Sequence, residues 1–334
     1  MKDFEVGTII GLLRRTAPFL IFRFLIYFGI TLGYVIITGA GAGVGYGAGA
    51  VFGDSAVGGT YGGLIGFGLA SGIMYFLREY LLYMVKAGHI AVLVEVMDGG
   101  DIPDGRGQID YAQSVVKERF AESSVLFGVD QLIKGVLKSF NRAFFTLAAI
   151  LPIPGIEAVA KFLNTVIRLS LTYLDEVILA YNIRTRSDNP WASSRSALIL
   201  YAQNYQVFLK NAAFLALIIW FLTFIVFLII LAPVAGLVAL FPGTAGPLTF
   251  VIALVFAWGI KQAVIEPFGM TALMQVFFKV TEGQQPNPEW EQKLDSVSDK
   301  FEELKVKASQ WVGKNDAPVK TAEATAGKDT QMPE

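Results

Sequence analysis

The sequence predicts an all-α polytopic membrane protein, and three observations predict it. Hydrophobic residues make up 54% of the chain and charged residues 16%, well below the roughly 25% charged content of soluble domains. Several apolar runs reach the ~20 residues that an α-helix needs to cross ~30 Å of hydrocarbon. Glycines recur at every fourth position between the first two such runs, a spacing that lets membrane helices approach at backbone distance. The uneven spread of charge divides the chain into a helical membrane domain of four to six spans (1–286), an amphipathic or coiled-coil helix (287–313) and a tail (314–334). The Ala, Thr, Lys, Glu and Pro of that tail are the composition of a disordered segment.

The first span is Ala17 to Thr38, with Arg23 as its only charge. Lys2, Arg14 and Arg15 precede it, but no small-residue cleavage site ends a short apolar run, so it is expected to be retained and not removed as a signal peptide. The second span, Ala56 to Leu77, ends at Arg78 and Glu79. Between them lies a glycine-rich connection whose only charge is Asp54. Gly39, Gly43 and Gly47 form one row at i, i+4, and Gly41, Gly45, Gly49 and Gly53 a second. Gly58, Gly62 and Gly66 form a row in the second span. Rows of this kind serve helix packing, within one chain or between copies; a glycine-lined conduit is the lesser reading. The glycines match neither a phosphate-binding loop nor a dinucleotide fingerprint.

The middle of the chain holds two long arms, Leu126 to Leu151 and Ile156 to Ile183, about the turn Pro152-Ile153-Pro154-Gly155. Glu157, Lys161, Asn164, Arg168, Thr172, Asp175 and Asn182 recur at helical spacing on the second arm, and Asp130, Lys134, Lys138, Asn141 and Arg142 do so on the first. Charges on membrane helices face protein or water. Lys134, Lys138, Arg142, Lys161, Arg168 and Asp175 are therefore candidates to line a hydrated path, or to meet lipid headgroups if the hairpin rests in the interface. Folding the arms about the turn sets Lys134 beside Asp175, Lys138 beside Arg168 and Arg142 beside Lys161. The deeper half is thus basic, which suits an anion or a phospholipid headgroup.

Asn189-Pro190 starts a further helix by capping, ahead of two strong spans at Ala212 to Leu231 and Pro247 to Ile260. Lys and Arg cluster before the first span, after the second, before Ala212 and after Ile260, and are absent from both hairpin tips. That asymmetry places both termini in the cytoplasm. After Asn287-Pro288, the residues Trp290, Leu294, Val297, Phe301, Leu304, Ala308 and Trp311 alternate spacings of four and three, an a/d seam. The seam fits self-association or a cytoplasmic protein partner; lying on the bilayer is its alternative.

The segment Ser187-Asp188-Asn189-Pro190-Trp191-Ala192-Ser193-Ser194-Arg195-Ser196-Ala197, through Asn204 into a long apolar span and on to Ala272–Glu282, resembles the C-terminal part of the choline transporter-like family. This chain departs from that family in length, in lacking its extracellular domain, and in a basic stripe unlike a choline site. The whole chain also resembles a widespread group of bacterial multi-pass membrane proteins, which implies a bacterial inner membrane. Neither resemblance assigns a functional residue.

His89 is the sole histidine and there is no cysteine, so no metal set, catalytic triad or disulfide is expected. Asp175 and Glu176 point ~100° apart on a helix, a charged face or an ion pair more than an acid and base couple. A net charge of −1 gives no field for nucleic acid. The expected function is a homo-oligomeric channel or transporter for a small solute or ion, without enzymatic activity or cofactor. The alternative is a scaffold that organises membrane lipids or recruits cytoplasmic partners.

Overall fold

The computed structural model describes residues 2–102, 107–119, 125, 128–139, 166, 171–238 and 247–311, which are mostly helical and include no strand. A short helix α1 (Val6–Arg15) leads into α2 (Ala17–Phe52). The two separate at Thr16, whose hydroxyl donates back to the Leu12 carbonyl at 3.1 Å. Pro18, in the first turn of α2, has no N–H with which to continue the earlier helix.

The glycine-rich segment read as a connection is itself helix. α2 runs without a break to Phe52, and α3 (Ser55–Met97) returns beside it over 43 residues. In lipid a backbone group has no water to bond, so even glycine keeps the helical ladder. The reversal needs two residues. Gly53 takes φ +108°, a left-handed value that a side chain would strain, and donates to Gly49 O at 2.9 Å. Asp54 then caps α3, accepting from Ala56 N and Val57 N at 3.1 Å each.

A second hairpin of α7 (Tyr205–Val238) and α8 (Pro247–Ile260) follows α4 (Gln108–Arg119), α5 (Leu174–Arg184) and α6 (Pro190–Gln203). Helical residues 128–139 lie between α4 and α5 in sequence. A π-helical turn, Lys261–Ile265, joins α8 to α9 (Glu266–Thr281), and α10 (Pro288–Val297) and α11 (Asp299–Gln310) close the described chain. α8 packs antiparallel on α2, with Phe28 and Phe256 6.1 Å apart and Arg23 reaching Gln262.

Burial is split along the molecule. Ile21, Leu25 and Ile36 of α2, Tyr61 and Leu64 of α3, and Trp220, Phe221 and Ile229 of α7 are large apolar side chains left exposed. The largest fully buried ones, Phe4, Leu93, Tyr173, Phe208, Phe277 and Phe301, gather where the hairpins end. There α1, the last half of α3, residues 128–139, α5, α6 and α9 share one hydrophobic core. An apolar belt beside a well-packed core is the pattern of a chain half immersed in lipid. Three of the described helical stretches, Ala17–Phe52, Tyr205–Gly236 and Ala253–Thr281, are long and apolar enough to cross a membrane.

The C-terminal seam also departs from expectation. The helix breaks at Ser298, whose backbone is extended (φ −151°, ψ 107°) and whose side chain accepts from Phe301 N at 3.3 Å to start α11. Serine competes with the helical ladder in this way because its side chain offers the next turn a cap.

Candidate functional site

The strongest concentration of buried charge lies where α3 leaves the apolar belt and enters the core. Tyr173 precedes the first turn of α5, which carries Asp175 and Glu176. α3 packs across that turn and delivers Lys86, whose Nζ donates to Glu176 Oε1 at 2.5 Å and stands 4.0 Å from Asp175. Residues 128–139 add Asp130 and, one turn on, Lys134, paired at 2.6 Å. Glu176 is 5% exposed and Asp130 3%.

Burial and the neighbouring Asp175 charge push the Glu176 carboxyl well above its usual range. Burial is the largest influence on Asp175, but Lys86, hydrogen bonds from Glu176 and the charge of Lys134 together outweigh it and hold that carboxyl low. Asp130, buried and facing Asp175, is pushed up to about 6. For Lys86, desolvation is overcome by Glu176 and Asp175, so the ammonium keeps its proton more firmly than usual. Two carboxyls thus share one amine and are driven apart, the behaviour of like charges in one low-dielectric site.

Around this centre the other charges are engaged. Arg23, 2% exposed, donates through Nε and Nη2 to the Gln262 carbonyl at 3.2 and 3.0 Å and lies over the Tyr27 ring. Lys261 pairs with Glu266 across the π turn. The wider helical loop of such a turn frees carbonyls for side-chain donors, and π turns gather at functional places. His89 is fully buried, stacks on Phe19 with ring centroids 5.2 Å apart and meets Thr16 Oγ1 at 3.4 Å. Burial, then the charge of Arg23, holds its imidazole well below the usual value and therefore neutral. Among the described residues no group of three or more His, Asp or Glu could hold a metal ion.

The structure redraws the pairing expected from the folded arms. Lys134 bonds Asp130, and the contact partner of Asp175 is Lys86 of α3. The two-arm construction had no place for a third helix, and α3 supplies the competing amine. Lys138 is exposed, and Arg142, Lys161 and Arg168 lie outside the described residues. Asp175 and Glu176 converge despite their angular separation because the long Lys86 side chain reaches both. The signal in the sequence is Lys86 itself, a lone charge within the apolar run Leu81 to Leu93.

The chain matches no family model, no curated protein and no solved structure.

Of the glycines assigned to packing, Gly58, Gly62 and Gly66 of α3 face Gly41, Gly45 and Gly49 of α2. A β-carbon on Gly45 would stand 2.8 Å from Gly62 Cα and closer still to the Gly58 carbonyl oxygen. Gly39, Gly43 and Gly47 make no such contact within the chain: each has open space where a β-carbon would go. Two rows alternate around one helix and only one can face α3, so spacing alone did not choose between them. An apolar groove of about 720 Å³ runs along the paired rows, rimmed by Val44, Phe52, Tyr61 and Ile65.

The seam is occupied by the chain itself. Leu294, Phe301 and Leu304 are buried in the core, Trp290 is half-buried against it, and Val297 is exposed. The partner is α6, whose Arg195 bonds Asp295 at 2.8 Å, Glu291 at 3.0 Å and the Phe301 carbonyl at 2.7 Å, and stacks on the Phe301 ring. Asn189 donates to Ala308 O, and Trp311 Nε1 to Asp188 O.

Proposed function

We propose that this chain is a homo-oligomeric membrane channel or transporter for a small solute or ion, set in a bacterial inner membrane with both termini cytoplasmic. The observation that carries the reading is the cluster of Lys86, Asp130, Lys134, Asp175 and Glu176. Buried charge at the foot of a membrane hairpin is costly, and ionisable residues held in membrane helices mark ion or solute paths. Within the described residues the cluster holds three carboxylates against two amines, so it favours a cation or proton over the anion expected from the basic stripe.

The glycine row Gly39, Gly43 and Gly47 supports the oligomer, since these residues lower helix propensity without serving a contact inside the chain. A helix from a second copy is the surface that such a row fits. The scaffold reading loses ground because the seam that was to recruit a partner is folded onto α6.

Flux into reconstituted liposomes tests the proposal. A panel of cations, anions and small polar solutes should include one that crosses above the lipid background, and Asp175→Asn or Lys86→Gln should change its rate without changing assembly. Wild-type vesicles that pass nothing in the panel would favour the scaffold.

A further inference from the structure

We propose that Glu176 is a proton-binding site, with an exchangeable proton on Oε2 whose release is governed by Asp175 and Lys86. This protonation belongs to the protein itself, whether or not a solute is carried.

The geometry points to it by elimination of countercharge. Among the described residues, the titratable and charged groups that face this joint are Tyr83, Lys86 and His89 from α3, Asp130 and Lys134 from residues 128–139, Tyr173 and Asp175 beside it at the start of α5, Arg23 from α2, and Lys261 and Glu266 from the π turn and α9. Lys134 is closed on Asp130 and Lys261 on Glu266. Arg23 keeps its charge but bonds the Gln262 carbonyl, and among the described residues it makes no ion pair with Asp175 or Glu176. His89 is neutral. On the side of α6, Asn182 of α5 bonds Ser193 and Ser194, and Arg195 turns away to Glu291 and Asp295. Among the described residues, Asp175 and Glu176 are left with one contacting ammonium, Lys86. Two adjacent buried carboxylates around one contacting cation repel each other, and a low-dielectric site favours a proton on one of them.

A second observation comes from single atoms. Glu176 Oε2 is buried and has no hydrogen-bond partner. As part of an ionised carboxylate it would be a charged acceptor stripped of water, which is far costlier than a neutral carboxyl in the same place. Burial raises the Glu176 carboxyl in the same sense. The exchange is simple: the carboxylate takes a proton from hydronium and releases water, and the reverse step returns it. Asp175, 9% exposed, and Lys86, 28% exposed, form the wetter edge by which the proton enters.

Infrared difference spectroscopy on the full chain in lipid nanodiscs, titrated with pH, tests this directly. The wild type should show the C=O stretch of a buried protonated carboxyl at neutral pH, absent in Glu176→Gln and retained in Asp130→Asn. Asp175→Asn should lower the pH at which the band disappears and Lys86→Gln should raise it, each by about one unit, tenfold in proton affinity. A wild type without the band, or a band that survives Glu176→Gln, overturns the proposal. If Glu176→Gln does not fold, the other two variants decide: shifts in one direction, or none, overturn it.

Discussion

A methyl group added to one glycine row of α2 should destabilise the hairpin, and the same methyl on the adjacent row should not. In Gly45→Ala the new β-carbon stands 2.8 Å from Gly62 Cα, against the 3.5–4.0 Å at which carbon atoms rest. The helices must part by about 1 Å at that level. Gly41 and Gly49 hold equally close contacts on either side, so the gap cannot be taken up locally. Overpacking of this kind costs about 1–3 kcal/mol. In Gly43→Ala nothing lies within 4 Å of the new atom. Both variants gain the same ~1 kcal/mol of helix propensity, so the difference between them isolates the clash. Reversible unfolding of the full chain in mixed micelles should therefore separate the two by about 1–3 kcal/mol, with Gly45→Ala the less stable. Equal stabilities would refute the close pairing of α2 with α3. Gly43→Leu extends the test to assembly: it should fold, yet lose its oligomer in native mass spectrometry.

Three further outcomes concern the charged end, the C-terminal helices and the topology. Asp130 is raised from 3.8 to about 6, so the native chain binds more protons than the unfolded one in that window, and this group's contribution to stability falls as pH rises through it, by on the order of 3 kcal/mol. Asp130→Asn should flatten the pH dependence of unfolding between pH 4 and 6 as measured by thermal melts. Arg195→Met should loosen α10 and α11 by about 1–3 kcal/mol, a modest cost because Glu291 and Asp295 are 38% and 31% exposed and regain water; faster proteolysis between Glu282 and Pro288 would show it, and unchanged protection would count against the clasp. A cysteine placed at residue 54 should react with an impermeant reagent from outside intact cells and one at residue 98 only after the inner side is opened, while the opposite pattern would invert the topology.

Residue pattern alone was enough to determine that the chain is helical, that several of its helices have membrane-spanning length and composition, and where capped helices begin at Asn189-Pro190 and Asn287-Pro288. These follow from local physics: apolar run length against bilayer thickness, and side-chain oxygens that satisfy the first free N–H groups. Asn189 accepts from Trp191 N and Ala192 N, and Asn287 from Glu289 N, as that chemistry requires. The choice of partner was decided only in three dimensions. Periodicity showed two glycine rows on α2 but not which one α3 would meet, because both rows have the same spacing. Lys86 and Glu176 lie 90 residues apart, and no local rule ranks Lys86 above Lys134 as the amine for Asp175. The a/d seam was plain in the sequence, yet its occupant, α6 of the same chain, depends on Arg195 arriving within reach of Glu291, Asp295 and the Phe301 carbonyl. Local pattern sets which surfaces are apolar or charged, and the packing of distant helices sets what each surface finds, because burial rewards contact without regard to separation along the chain.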